Sequence, residues 1–470
     1  MNNNKTIYWF AVVLTVLVNL FSLHFPFFWD TILTSTITQY FYDHGFQHFI
    51  TPPQLDAGHP PLFYVYVTEC YILFGKNLMT AHLSMLPFTI LGILSFIKIL
   101  QHFHFNKQLQ YTGVILYFSI PAVIAQNCMV SYDAVLLSLY LAALLSVLKN
   151  KKLLFAIVFI GILGVSLRGL FCMIALSVSI YFLQNRNFKL WLKWNVYFIP
   201  AIIFFVIWIY YHYTQTGWMI STNSETWSEH RGFANAFGWF KNAFSIMRCF
   251  FDLGIAMLTL LSVFYLVQHK ITDIYSSLWL IPALVFSVSF LPFSNPVNHR
   301  YFLIVYVLML FPVLKFLSGK KLIYSVITAF ILILGHFLIY PVPVSNGWDC
   351  TLSHVSYFKC KDDFEQLRNS VWFDESTKTE TVFPLNASLY QTKMQINTAR
   401  MININGKSID SIPFILFSNI GNDFSDEQIK QLNSWIILYQ KKCGLVEFIL
   451  YENPETSKKK NLKLIPNIRN

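Results

Sequence analysis

Three acids, one histidine and three arginines are the residues of this chain whose types are best suited to chemistry. The acids are Asp30, Asp56 and Asp133, the histidine is His59, and the arginines are Arg168, Arg231 and Arg300. A carboxylate can take a proton from a hydroxyl group or bind it by a hydrogen bond. A guanidinium fork can pair two oxygens of one phosphate group. These residue types therefore suit proton removal beside a bound phosphate, if the fold brings them together.

Asp30, Asp56 and His59 lie in a stretch between Lys5 and Lys76 that contains no lysine or arginine. Such a stretch beside an apolar helix is typical of a translocated loop, because cytoplasmic loops collect the positive charge. We therefore predict a first outer loop at residues 30–78. It follows an apolar run at residues 7–28, which we interpret as a retained signal anchor with its amino end in the cytoplasm.

The composition is that of a multi-pass membrane protein. The 470 residues are 55% hydrophobic, 18% aromatic and only 12% charged, and the mean hydropathy is +0.50. The formal net charge of +11 comes from short basic clusters between apolar runs. That placement indicates cytoplasmic anchors rather than binding of nucleic acid, which we exclude as a partner.

The apolar runs predict an α-helical polytopic membrane protein of the plasma (inner) membrane with about eleven transmembrane helices. They lie at residues 7–28, 79–100, 111–128, 131–148, 153–167, 170–183, 195–213, 251–268, 275–291, 301–317 and 321–340. The segment Pro60–Phe74 is too short for a span and opens with two prolines, so we predict an interfacial helix there. With that segment lying flat, the later basic clusters all fall in the cytoplasm.

The same topology places Asp133, Arg168, residues 214–250 and residues 295–301 on the outer side. We predict two domains, a transmembrane domain at residues 1–340 and an extracytoplasmic α/β domain at residues 341–470. In the second domain, Pro413–Asn419 and Leu445–Tyr451 have strand patterns, and Ser425–Lys442 has the pattern of a capped amphipathic helix. Cys350 and Cys360 could form a disulfide in that compartment.

The order of several motifs resembles the C-type glycosyltransferases, in particular the protein O-mannosyltransferase and aminoarabinose transferase group. The motifs are Trp29-Asp30 after the first span, Gly58-His59-Pro60-Pro61-Leu62, Ser131-Tyr132-Asp133, the break at Arg168-Gly169, and Arg300-Tyr301-Phe302. The resemblance covers residues 7–317. It implies an inverting transferase that moves a sugar from a polyprenyl-phosphate donor, taken from the lipid bilayer, to an extracytoplasmic acceptor.

By motif position, the resemblance makes Asp30 the general base. It implies that His59, Arg300 and Tyr301 bind the donor phosphate, and Arg168 and Arg231 are further candidates for the same role. Asp56 and Asp133 are then candidates for binding the acceptor or the sugar. No cofactor and no metal are expected, because the mannosyltransferase-like group works through protein cations.

Histidine at position 59 departs from the aminoarabinose transferases, which have a lysine near the donor phosphate, and matches the mannosyltransferase branch. A neutral imidazole supplies no full charge. The charge of the phosphate must therefore be met by Arg168, Arg231 or Arg300.

Each assignment has a structural alternative. Asp30 could only cap a helix at residues 31–42, and Asp56 could cap the helix after Pro61. Asp133 could form an ion pair with Arg168, and Arg300 could be an interfacial arginine that extends to the membrane surface. For the whole chain, the alternatives are a transporter or flippase of lipid-linked sugars, which would predict related halves with broken helices, and a membrane scaffold.

Overall fold

A computed structural model gives the fold. It describes residues 5–23, 30–46, 49–52, 55–56, 58–219, 232–252, 255–294, 297–317, 324, 327–329, 331, 408–410, 414–418, 426–443 and 446–455. The predicted span at residues 321–340 and the Cys350–Cys360 disulfide lie mostly or wholly outside these residues.

Helices occupy the other ten predicted apolar segments. In chain order the helices are α1 Lys5–Ser22, α2 Asp30–His44, α3 Leu62–Phe74, α4 Leu78–Leu83, α5 Leu86–His102, α6 Lys107–Ser119, α7 Pro121–Asn127, α8 Tyr132–Leu148, α9 Lys152–Val165, α10 Gly169–Leu183, α11 Phe188–Asn195, α12 Ile199–Thr216, α13 Ala236–Phe251, α14 Ile255–His269, α15 Ile274–Phe290 and α16 Leu303–Phe316. The protein is thus a mostly helical, multi-pass membrane protein.

The number of spans stays a prediction, because several helices are short or bent. Among the described residues, four helical stretches are long and apolar enough to cross a membrane, and six are if each sharply bent pair counts as one span. The α6–α7 pair bends by 74°. Ile120 is extended at this bend and Pro121 follows it, as expected because proline disfavours a helical conformation in the residue before it.

Two helices form the centre of the membrane part. All but two residues of α16 are buried, and nearly all of α8 is buried as well. Both helices are apolar on every side, which is the composition of a helix surrounded by protein or lipid. α8 packs between α5 and α9, and α16 packs against α14 and α15. Polar residues at the ends of these helices are therefore held by a rigid core.

The first outer loop contains two helices, α2 and α3, which pack on each other. The hydroxyl of Thr68 in α3 donates to the carbonyl of Thr38 in α2 at 3.1 Å. Lys76 donates to the side chain of Gln39 at 2.7 Å and lies 3.7 Å from the Asp43 carboxylate. Burial lowers the pKa of the Lys76 ammonium, and Asp43 acts in the opposite direction. Lys76, the first basic residue after the stretch without lysine or arginine, thus connects the end of α3 to α2.

The carboxyl-terminal part contains a short helix and a three-stranded antiparallel sheet, with a small core of its own. The strands are β1 Phe414–Ser418, β2 Ile436–Cys443 and β3 Val446–Glu452, in the order β1-β3-β2, and the helix α17 is Asp426–Leu432.

The predicted helix at Ser425–Lys442 is wrong in its second half, which forms β2. Ile436, Ile437 and Tyr439 favour a strand, and a hairpin pairs Cys443 with Val446. The assignment of separate domains stays a prediction.

Close packing of α5 on α8 depends on Gly92. A Cβ atom at this position would lie 2.6 Å from the hydroxyl oxygen and 3.3 Å from the Cα of Ser138. Gly92→Ala is therefore expected to destabilise the protein by about 1–3 kcal/mol, because the core must shift to accept the methyl group. A lower melting temperature in detergent would show this. Gly161→Ala is the control, since its nearest neighbour, Leu139 Cδ1, would lie at 3.4 Å.

Candidate functional site

Three helices of the membrane part begin close together, and each start carries one charged residue. Asp133 is the second residue of α8, Arg168 directly precedes α10, and Arg300 lies in the short 3₁₀ turn before α16. The amino ends of helices favour anions, because unpaired N–H groups point out of them. The three charged residues, which the sequence predicts on one side of the membrane, thus lie close together.

The break between α9 and α10 puts Arg168 in place. Gly169 starts α10 so close to α9 that a Cβ atom there would lie 2.7 Å from the carbonyl oxygen of Ile162. Ser166 is extended between the two helices, and its side chain accepts a hydrogen bond from the backbone N–H of Arg168. A residue larger than glycine at position 169 would force α9 and α10 apart, and the backbone that carries Arg168 lies at this junction.

Asp133 lies between the two arginines. It forms an ion pair with Arg168, and the Nε atom of Arg300 lies 3.8 Å from its other oxygen. The side chains are nearly buried, with 3% of Asp133, 11% of Arg168 and 10% of Arg300 exposed. Two guanidinium groups thus flank one carboxylate in this cluster.

Two tyrosine rings flank the guanidinium groups. Arg168 lies 5.0 Å from the ring centre of Tyr132 and 4.6 Å from that of Tyr301, and Arg300 lies 5.2 Å from the Tyr301 ring. Cation–π contacts at these distances are attractive. Arg300 also donates to the Tyr301 hydroxyl at 3.4 Å. We call Asp133, Arg168, Arg300, Tyr132 and Tyr301 the arginine cluster.

His59 lies beside the arginine cluster. Its ring centre is 5.4 Å from that of Tyr132, and its Nδ1 atom accepts a long hydrogen bond of 3.5 Å from the backbone N–H of Leu167. An accepting Nδ1 places the proton of a neutral imidazole on Nε2. A neutral His59 would then offer its Nε2–H as a hydrogen-bond donor.

Asp56 is buried among protein donors. Its Oδ1 atom accepts from the backbone N–H of Gly58 at 2.7 Å. Its Oδ2 atom lies 2.8 Å from Nε2 of His212 and accepts from the indole N–H of Trp218 at 3.2 Å. The carboxylate therefore closes a turn before His59 rather than capping α3, whose first turn has no side-chain cap.

A small hollow lies next to His59, between α2, α3 and α12, with room for only about one water molecule. Polar groups of Thr51, Asp56, His59 and His212 line it, together with aromatic and apolar side chains such as Tyr64, Trp208 and Phe41.

Two of the predicted site residues, Asp30 and Arg231, are described only in part or not at all. The helix α2 begins at Asp30, but the position of the Asp30 side chain lies outside the described residues, as do Trp29 and Arg231. No group of three or more potential metal ligands occurs within the described residues. The roles of Asp30 and Arg231 and the absence of a metal requirement stay predictions.

For the other predicted site residues, the structure gives the positions of the side chains but does not test their proposed roles in binding or catalysis. The alternative of an Asp133–Arg168 ion pair agrees with the observed contact, and a contact of Asp133 or Asp56 with sugar or acceptor stays a prediction. Sequence reasoning missed His212, which is 2% exposed, and gave Tyr132 and Trp208 no role at the site. The sequence feature that could have indicated His212 is its position as a polar residue at the predicted outer end of the span at residues 195–213.

The fold is similar to that of two crystal structures of ArnT from Cupriavidus metallidurans. The structure bound to undecaprenyl phosphate has a TM-score of 0.57 and 13% sequence identity, covering 94% of this chain and 97% of the other. The apo structure has a TM-score of 0.56 and 12% identity, with the same coverage. No protein-family model matches the sequence, and no curated protein matches it in sequence. The predicted resemblance to C-type glycosyltransferases is confirmed at the level of the fold.

Proposed function

We propose that this protein is an inverting glycosyltransferase that moves a sugar from a polyprenyl-phosphate carrier to an acceptor outside the membrane. The observation that carries the proposal is the arginine cluster itself, where two nearly buried guanidinium groups flank one carboxylate at the starts of three helices. A phosphate bound there would accept charge-assisted hydrogen bonds from the guanidinium groups. The shared fold with ArnT, which has been crystallised with undecaprenyl phosphate, supports this kind of donor.

In the proposed reaction, Asp30 takes the proton of an acceptor hydroxyl as the hydroxyl oxygen attacks the anomeric carbon of the sugar. The bond from that carbon to the phosphate oxygen breaks, and its electrons leave with the polyprenyl phosphate. Arg168 and Arg300 stabilise the departing phosphate by charge-assisted hydrogen bonds. Attack from the side opposite the phosphate inverts the anomeric configuration.

The donor lipid would reach the site from the bilayer, beside α3. This helix presents strongly exposed apolar side chains at its end, where Leu73 is 70% and Phe74 is 73% exposed. Such a surface fits an interfacial helix in contact with lipid. His59 directly precedes the prolines that open α3, so it would stand between the lipid path and the phosphate.

Incubation of the purified protein with labelled polyprenyl-phosphate sugar and membrane extract in detergent tests the proposal. We expect a labelled product and free polyprenyl phosphate, without any gradient and in the presence of a chelator. A transporter would give neither product in detergent. Intact donor after prolonged incubation with lipid, protein and glycan acceptors would contradict the proposal.

The alternative of a flippase lacks support in the described residues. A transporter of that kind would place charged groups along a pathway through the membrane. Here the arginine cluster, Asp56 and His59 lie close together, and the central helix α16 is buried along its length.

The sugar, the acceptor and the linkage can be identified by mass spectrometry of the lipids and proteins of a deletion strain, as the glycosylated product that this strain lacks.

A further inference from the structure

Asp56 and His212 form a buried polar contact near the proposed site, with Nε2 of His212 2.8 Å from the Asp56 carboxylate. The residues lie 156 positions apart in the sequence, and their side chains are 7% and 2% exposed. His212 belongs to the last turns of α12, whereas Asp56 belongs to the loop between α2 and α3. The pair thus connects the loop of His59 with the membrane core.

Both ring nitrogens of His212 lie within hydrogen-bond distance of protein oxygens. Its Nδ1 atom is 2.9 Å from the backbone carbonyl of Trp218, and its Nε2 atom is 2.8 Å from the Asp56 carboxylate. The imidazole is thus held at both ends, between the carboxylate and the carbonyl.

A continuous series of contacts leads from this pair to the arginine cluster. Asp56 holds the backbone N–H of Gly58, which has the left-handed φ of +66°. The next residue, His59, accepts from Leu167 and lies against the Tyr132 ring. The Tyr132 ring in turn lies under the guanidinium of Arg168. A shift of Asp56 would therefore move His59 relative to the arginine cluster.

We infer that His212 is a positioning residue, which holds Asp56 and through it sets the place of His59 at the donor phosphate. This inference rests on the proposed function, since it assumes that His59 contacts the phosphate. Trp218 supports the same carboxylate oxygen through its indole N–H. The role of His212 is thus exerted through Asp56 and not by contact with the substrate.

The test measures the affinity of the purified full-length chain for polyprenyl phosphate in nanodiscs. His212→Leu is expected to weaken binding about tenfold, because the Asp56 carboxylate loses a buried hydrogen-bond partner. His212→Gln keeps an N–H that can reach Asp56 and should stay within about threefold of the wild type. His269→Phe, an exposed histidine far along the chain, is the control and should bind as the wild type does.

A double-mutant cycle with His59→Ala distinguishes positioning from general stabilisation. If His212 acts through His59, the double variant His59→Ala/His212→Leu binds no more weakly than His59→Ala alone. A merely structural role would make the two losses multiply, which would overturn the inference, as would wild-type affinity in His212→Leu. If His212→Leu does not fold, Trp218→Phe serves in its place, with about a threefold loss expected and the same non-additivity.

The cycle also separates this inference from the proposed function. Unchanged affinity in His59→Ala would contradict the placement of the phosphate beside His59, and with it the basis of the inference. A loss in His59→Ala together with full affinity in both His212→Leu and Trp218→Phe would overturn the positioning role alone.

Discussion

Asp30→Asn is expected to abolish sugar transfer and to leave donor binding and expression intact. The amide cannot accept the proton of the acceptor hydroxyl, and loss of a general base typically costs about 10²- to 10⁴-fold in rate. Asparagine caps helices as well as aspartate does, so the start of α2 is preserved in this variant. The substitution therefore distinguishes a catalytic carboxylate from one that only caps the helix.

A deletion strain allows the Asp30 variant to be measured before the acceptor is identified. Mass spectrometry of that strain finds the glycosylated lipid or protein that is lost, and each variant is tested for restoring it. Asp43→Asn is the matched control, because Asp43 lies in the last turn of the same helix and is exposed. The amount of product that Asp43→Asn restores should be within about twofold of the amount that the wild type restores. Full restoration by Asp30→Asn would remove Asp30 from the mechanism.

Arg300→Gln is expected to weaken polyprenyl phosphate binding by about 10- to 100-fold, from the usual strength of a hydrogen bond to a charged group. The variant leaves the Arg168–Asp133 ion pair in place and removes one of the two guanidinium groups that would bind the phosphate. Arg300→Lys keeps the charge without the fork, so an intermediate loss should follow. Binding of labelled polyprenyl phosphate in nanodiscs measures both losses.

Arg186→Gln is the control for this experiment. Arg186 is an exposed arginine between α10 and α11, and its replacement should leave the affinity unchanged. An interfacial arginine that only extends to the membrane surface would behave in the same way as Arg186. Equal affinities for Arg300→Gln and Arg186→Gln would therefore support that alternative and contradict the phosphate site.

The sequence predicts the membrane fold well, because its signals are local. Ten apolar segments coincide with helices, and the broken stretch around Arg168 was detectable from the charge in an otherwise apolar run. The motif order also pointed to the fold that ArnT shares. The charge distribution predicted that Asp133, Arg168 and Arg300 share one side of the membrane, but only the structure shows that their side chains meet.

Contacts between distant segments were beyond the sequence. His212 looks like an ordinary polar residue at the end of a span, and only the folded chain brings it to Asp56. The strand β2 was missed for a related reason. Its residues continue an amphipathic pattern from α17, and pairing with β3 overrides that local preference.

The most direct test of the donor site is an experimental structure of the protein with bound polyprenyl phosphate. We predict that phosphate oxygens lie about 2.7–3.2 Å from guanidinium nitrogens of Arg168 and Arg300, with His59 beside them. A phosphate bound elsewhere, with both guanidinium groups still directed at Asp133, would contradict the assignment of the arginine cluster as the donor site.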